Sequence, residues 1–262
     1  MRSLRELYRI GKGPSSSHTI GPERACRLFL SENPDADGFR AVLYGSLAKT
    51  GIGHGTDRVI RSVLKGAEIV CDTQKEDLPH PNTMDLIAFR GGRQTAFMRI
   101  YSVGGGAIRI EGRPEEEGKE VYPLGSFSEI RAYCEEHSLR LSDYVFETEG
   151  EEIRTYLAEV WQAMRAAISA GLKAEGILPG GLGVERKARV LYRQKHIDES
   201  AETRENRLVC AYAFAVSEQN AAAETIVTAP TCGASGVLPA VLRYAQERRG
   251  YGDGDILRAL AA

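Results

Sequence analysis

The chain has 262 residues, 42% of them hydrophobic and 27% charged, with a formal net charge of −2. This is the balance of a globular protein with room for one large domain or two ordinary ones. The near-neutral charge gives no basis for a nucleic-acid or membrane partner, no apolar run approaches the ~20 residues that span a bilayer, and MRSLRELYRI lacks the apolar core of a signal peptide.

A cytoplasmic protein is therefore expected. Its five cysteines are Cys26, Cys71, Cys134, Cys210 and Cys232. They are odd in number, widely spaced and without a C-x-x-C pair, which argues against a disulfide scaffold or a self-contained zinc site. Cys26 and Cys210 fall inside helical patterns and read as buried thiols.

In chain order, the first motif that carries chemistry is G-K-G-P-S-S-S-H-T-I-G-P, Gly11 to Pro22. It sets three hydroxyls and an imidazole on a glycine-framed loop ahead of a helix expected over Pro22 to Leu30. Backbone N–H groups and serine hydroxyls at a helix start can hold an anion such as a carboxylate. The same run also serves as an ordinary serine-rich cap. RAVLYGSLA, Arg40 to Ala48, reads as a strand and overlaps Y-G-S-L-A-K-T-G-I-G-H-G-T-D, Tyr44 to Asp57. There His54 lies between two glycines in a turn at the end of a strand, and Thr56 and Asp57 open a helix to Leu64. Small neighbours leave the ring accessible to a ligand and a nearby carboxylate could orient it. A histidine in such a turn can equally be structural. Arg93 to Val103 and Ala107 to Gly112 flank Gly104-Gly105-Gly106 and read as a hairpin. Ser126 caps a helix to Glu136, with Glu129 completing a capping box. Residues 1–148 therefore read as an α+β domain.

The remainder reads as helical. Ile153, Tyr156, Leu157, Val160, Trp161, Met164, Ile168 and Leu172 make one broad apolar stripe, ended by Gly176 and Pro179-Gly180-Gly181. A second helix is expected from about Arg207 to Ser217. In S-E-Q-N-A-A-A-E-T-I-V-T-A-P-T-C-G-A-S-G-V-L-P-A-V-L, Ser217 to Leu242, a strand leads through Thr231-Cys232-Gly233 into a helix. A thiol at a helix N-terminus suits a nucleophile or a metal ligand, and Cys232 is the candidate. DILRALAA ends inside a helical pattern without a stop signal, so residues 149–262 are expected to be an all-α domain cut short.

These three motifs, with Y-S-V-G-G-G at Tyr101 to Gly106 and Gly176-Ile177-Leu178-Pro179-Gly180, occur in order over nearly the whole chain. The set resembles the bacterial iron–sulfur L-serine dehydratases. The resemblance implies a β-chain-like small-ligand domain fused to an all-helical catalytic domain with a [4Fe-4S] cluster. It also implies deamination of L-serine to pyruvate and ammonia in amino-acid catabolism. Exposed faces of a helical domain cut short favour self-association, and a homodimer is expected. His54 and His18 become the candidate proton carriers. Ser15, Ser16, Ser17, Thr19, Thr56, Asp57 and Asn220 become the candidate substrate contacts, and Cys232 a cluster ligand. One departure stands out. Many relatives place the first cluster cysteine where this chain has Ser235, and an asparagine where it has Cys232, so either Cys232 stands in as the ligand from one turn earlier or this site is altered. The other cluster cysteines are expected in a downstream stretch.

Two rival readings remain at this level. A pyridoxal-phosphate enzyme would use a Schiff-base lysine and a glycine-rich phosphate loop; Lys12, Lys49 and Lys187 lie near the motifs without that signature. The other is a non-catalytic amino-acid-binding or regulatory module.

Overall fold

The computed structural model describes residues 1–114, 120–180, 182–195 and 198–262. In chain order the elements are β1 (Ile10–Lys12), α1 (Gly21–Glu32), β2 (Gly38–Tyr44), α2 (Gly45–His54), α3 (Thr56–Val63), β3 (Glu68–Asp72), β4 (Thr83–Arg90), β5 (Arg93–Gly104) and β6 (Ala107–Ile110). There follow α4 (Phe127–Glu136), α5 (Leu141–Glu149), α6 (Glu151–Gly171), α7 (Ala188–Arg193), α8 (Ala201–Ala221), β7 (Thr225–Val227), α9 (Val237–Arg249) and α10 (Asp253–Ala261). The chain is thus mixed α and β, and it forms two compact units, Lys12–Glu115 and Met1–Gly11 with Glu116–Ala262.

The Lys12–Glu115 unit is built on a five-stranded sheet in the order β3-β2-β4-β5-β6. β2 and β3 are parallel; the other neighbours are antiparallel. Strand side chains alternate between faces. Ala41, Leu43, Met84, Leu86, Met98 and Ile100 turn to one face and share a core with Ala25, Cys26 and Phe29 of α1, Leu47 of α2 and Ile60 of α3. Tyr44, Asp85 and Arg99 belong to the opposite face.

The hairpin, the helix after the serine loop and the helix from Thr56 form where the sequence places them. The strand expected from Arg40 to Ala48 does not extend that far: it stops at Tyr44, and Gly45–His54 is helical. Tyr44 keeps an extended backbone as the residue before the helix, and Leu47, Ala48 and Gly51 bury one side at helical spacing. His54 therefore ends a helix instead of a strand. Strands β1, β3 and β4 and helices α5 and α7 carry no signal picked out in the sequence.

In the second unit, Ile153, Leu157, Val160, Trp161 and Met164 of α6 form the spine of the core. Ile130 of α4, Tyr144, Val145 and Phe146 of α5, and Ile256 and Leu260 of α10 pack with them. Because α4 and α5 share this core, the compact units divide near residue 115, whereas the domain boundary expected from the sequence lies at 148. The capping box at Ser126 and Glu129 forms. Among the described residues the unit is helical apart from the short β1–β7 pair and an isolated bridge between Ile177 and Glu185. Helix α6 ends at Gly171, ahead of the expected stop at Gly176; Gly181 lies outside the described residues. Cys210 is exposed, contrary to expectation, because α8 turns Ala211, Tyr212, Ala215 and Val216 inward. Cys26 is buried, and burial raises its thiol pKa.

The first eleven residues join this unit through polar contacts. Glu149 accepts from Leu4 N at 2.8 Å, from the Tyr122 hydroxyl at 2.5 Å and from Ser3 Oγ. Tyr8 donates to the Leu260 carbonyl at 3.0 Å, and Tyr156 donates to the Tyr8 carbonyl. Thr228 N donates to the Arg9 carbonyl at 2.9 Å, and Arg9 N donates to Thr228 Oγ1 at 3.0 Å. Glu149→Ala should cost about 1–3 kcal/mol, the usual scale for hydrogen bonds to a charged acceptor. Amide exchange of residues 3–9 should accelerate more than that of α6; protection unchanged at residues 3–9 would show that Glu149 does not hold the segment.

Candidate functional site

In the serine loop, Ser15 is extended and its Oγ accepts from His18 N at 3.3 Å, so the chain turns directly into one wide helical turn over Ser16–Ile20. Thr19 is fully buried. Its hydroxyl is directed at the Lys12 carbonyl, 2.6 Å, and the Ser15 carbonyl, 2.5 Å. Thr56, also fully buried, donates to the His18 carbonyl at 2.7 Å. These two hydroxyls shape the loop. The Ser16 and Ser17 hydroxyls are half-buried and make no hydrogen bond among the described residues.

Two imidazoles meet here. The rings of His18 and His54 stack with centroids 4.5 Å apart and planes 28° from parallel. His18 Nδ1 lies 3.2 Å from Ser15 Oγ, and its Nε2 lies 3.1 Å from Ser46 Oγ and 3.0 Å from Thr50 Oγ1. Thr50 donates its proton to the Ser46 carbonyl at 2.9 Å. The network is therefore satisfied by a neutral His18 with its proton on Nε2, donating toward the α2 hydroxyls and accepting from Ser15 on Nδ1. Burial, and then the charge of neighbouring His54, hold the His18 pKa below its usual range.

His54 Nδ1 lies 2.9 Å from the Thr50 carbonyl. A carbonyl only accepts, so Nδ1 carries the proton and neutral His54 keeps its lone pair on Nε2. This is the arrangement of a positioned general base. Asp57 is paired with Arg61 at 3.2 Å, and its Oδ1 is buried with no hydrogen bond among the described residues.

The structure adds residues that the sequence reading did not single out. Ser46 and Thr50 hold His18. Ser102 Oγ and Asn82 Oδ1 are buried without a partner among the described residues. Asn82 Nδ2 donates to the Ser102 carbonyl at 3.3 Å, and Ser102 N to the Asn82 carbonyl at 2.9 Å. Ser102 borders the end of the serine loop so closely that a Cβ on Gly21 would overlap its hydroxyl. Unfilled buried donors and acceptors beside such a loop are groups a polar ligand could satisfy. Ser102 sits in the Y-S-V-G-G-G motif, a visible signal, but only the sheet register brings it here.

Cys232 and Asn220 belong to the other unit. Cys232 is 3% exposed, in the turn between β7 and α9. Helix α9 begins at Val237, five residues further on. Ser235 N donates to the Cys232 carbonyl at 3.2 Å, and Ser235 Oγ is buried with no partner among the described residues. Asn220 lies in the last turn of α8. Cys71 lies on β3, Cys134 on α4 and Cys210 on α8. No group of three His, Cys, Asp or Glu side chains is placed to hold a metal among the described residues. These residues do not fit a complete three-thiolate cluster. Two cavities in this unit, about 670 and 760 Å³, lie around α7 and involve Arg186, Arg189, Arg193, Arg204 and Tyr212; neither contains Cys232. No helix among the described residues is long and apolar enough to cross a membrane.

Comparison with known proteins gives two family matches: the serine dehydratase alpha chain over residues 63–262 and the serine dehydratase beta chain over residues 3–69. L-serine dehydratase 1 of Escherichia coli is 34% identical, covering 93% of this chain and 66% of the relative. L-serine dehydratase of Streptomyces coelicolor is 33% identical, covering 92% and 65%, and that of Helicobacter pylori 28%, covering 93% and 66%. The chain thus spans slightly less than two thirds of the length of these relatives.

The neutral state of His18 has a measurable consequence. Its folded pKa is lowered from the ordinary 6.5, so the unfolded chain takes up the proton first. Stability from this group is present above pH 6.5 and is lost as pH falls below it. The thermal midpoint should decline as pH drops below 6.5, ahead of the acid titration of Glu32, Asp143 and Asp253, whose pKa values are lowered by hydrogen bonds from Arg113, Arg258 and Gln246. His18→Gln should flatten that first decline. Equal slopes in both proteins would mean that His18 is not held neutral.

Proposed function

This chain belongs to the serine dehydratase family, and we propose that it is an L-serine ammonia-lyase acting through the His18–His54 site. The observation that carries this reading is the stacked imidazole pair, with one ring fully engaged by hydroxyls and the other offering an unprotonated nitrogen. The elimination removes the α-proton and the β-hydroxyl of L-serine, which together leave as water. The resulting 2-aminoacrylate tautomerises to an imine, and a second water hydrolyses that to pyruvate and ammonia.

In this reading His54 Nε2 receives the α-proton. His18 fixes the stacked partner and stays neutral, so the site carries no second positive charge when His54 becomes protonated. The Ser16 and Ser17 hydroxyls, with loop N–H groups, hold the substrate carboxylate. Asn82 and Ser102 offer unfilled polar atoms to the rest of the amino acid. Thr19 and Thr56 act by shaping the loop, since both hydroxyls already donate to carbonyls. Asp57 and Asn220 remain proposed substrate contacts. The proposed division of labour assigns substrate binding to residues 1–148 and catalytic support to the helical residues 149–262.

Family membership carries an expectation of a [4Fe-4S] cluster, with Cys232 as one ligand. The described residues gather no three ligands for it, so the acid for the departing hydroxyl has no assignment in this chain. A cytoplasmic enzyme of amino-acid catabolism and a homodimer complete the proposal; Val190, Phe214, Val237 and Val241 are exposed apolar side chains that could serve self-association.

A second reading, a non-catalytic amino-acid-binding module, is favoured by the confinement of the imidazoles and serine loop to one compact unit. Anaerobic reconstitution with iron and sulfide, followed by a pyruvate assay and L-serine calorimetry, separates the two. Pyruvate formation supports the lyase; serine binding with no pyruvate supports the module. In a preparation that turns over serine, His54→Gln should lower kcat by about 10² or more. Ser16→Ala with Ser17→Ala should raise KM about tenfold or more, the scale of one lost charge-assisted hydrogen bond. Near-normal kcat in the first would remove His54 from proton transfer, and an unchanged KM in the second would remove the carboxylate site.

A further inference from the structure

We propose that Tyr44, Asp85 and Arg99 form a positioning unit that sets the start of α2, and through it Ser46, Thr50 and His54, against the serine loop. The catalytic relevance of that placement rests on the lyase reading; the placement itself does not.

Tyr44 is the last residue of β2 and the residue immediately before α2. Its hydroxyl donates to Asp85 Oδ2 at 2.9 Å. Arg99 fills the same carboxylate as a fork, Nε to Oδ1 at 2.7 Å and Nη2 to Oδ2 at 2.8 Å. Asp85 is 4% exposed. A buried carboxylate is costly unless its lone pairs are filled with good geometry, and a guanidinium fork has a fixed direction. The paired strands β4 and β5, which place Asp85 opposite Arg99, thus define where the Tyr44 hydroxyl must go. Lys75 Nζ lies 5.0 Å from the Tyr44 ring centroid, adding a cation against its face.

The same turn is gripped from its other side. Ser46 N donates to the Pro81 carbonyl at 2.8 Å. Gly45, with φ +52°, has no room for a Cβ against that carbonyl. α2 has no side-chain cap of its own, so residues 44–46 are located by Asp85 and Pro81. One residue after Gly45, Ser46 Oγ meets His18 Nε2 at 3.1 Å. A shift of Tyr44 is therefore carried by two peptide units into the hydroxyl that orients His18, and along α2 to Thr50 and the stacked His54.

The test uses the full 262-residue chain labelled with ¹⁵N-histidine, whose five histidines can be assigned by substitution. Ring ¹⁵N shifts and the titration midpoint of His18 are recorded without substrate for the wild type, Tyr44→Phe, Asp85→Asn and Leu86→Val. Among titratable groups, His54 is the one whose charge bears on His18, and it is followed in the same spectra. Tyr44→Phe should move the His18 signals and bring its midpoint up toward 6.5, with the far-ultraviolet dichroism unchanged. Asp85→Asn should move them further in the same direction. Leu86→Val, in the core on the opposite sheet face, should lower the melting temperature and leave His18 in place. Wild-type His18 signals in Tyr44→Phe overturn the proposal, as does an equal shift in Leu86→Val. Tyr44→Phe keeps the carboxylate–guanidinium fork and decides the matter if Asp85→Asn does not fold. Since no substrate is present, an absence of lyase activity would sink the functional reading and leave this result standing.

Discussion

Both ring nitrogens of His18 are engaged by hydroxyls from two different elements, Ser15 on the serine loop and Ser46 with Thr50 on α2. This double engagement constrains everything around it. It fixes the loop to the helix and leaves neither ring nitrogen of His18 without a hydroxyl partner. It also requires a short helix to begin directly after β2, because Ser46 and Thr50 face one partner only at the i, i+4 spacing of an α-helix. His54, eight residues after Ser46, then stacks on the same ring. The roles of the two imidazoles follow from their partners: one is held and neutral, the other donates to a carbonyl and keeps a lone pair.

The motifs that carry this site were legible as residues but not as geometry. The serine loop and the glycine-framed His54 could each be read as structural, and only their meeting distinguishes them. Arg40 to Ala48 looked like a strand throughout because a short apolar run does not distinguish strand from helix; the switch at Gly45 depends on Asp85 and Pro81, which are remote in sequence. Asn82 and Ser102 were invisible as a pair because strand register, a tertiary property, brings them together. In contrast, the capping box at Ser126 and the α6 stripe from Ile153 are local signals, and they were readable. Cys210 illustrates the limit of pattern: a cysteine in a helical stretch was read as buried, and its exposed position depends on which side of α8 meets its neighbours.

The helical unit tells a different story. Its core is well formed, and Glu149 draws the first residues of the chain into it. Its chemistry is sparse by comparison. Cys232 is a single buried thiol, Ser235 offers a hydroxyl where the family resemblance implies a thiolate, and no three ligands converge among the described residues. The better developed polar constellation of this chain is therefore that of the Lys12–Glu115 unit: the serine loop, a held imidazole and a second ring stacked on it.

The central claim is that His54 presents an unprotonated Nε2 to the substrate. The ring tautomer of His54, read from its ¹⁵N shifts and couplings at a pH where the ring is neutral, tests it most directly. The account predicts the tautomer with its proton on Nδ1, hydrogen-bonded to the Thr50 carbonyl. A neutral His54 with its proton on Nε2 would contradict it, because the nitrogen assigned to accept the α-proton would already be occupied.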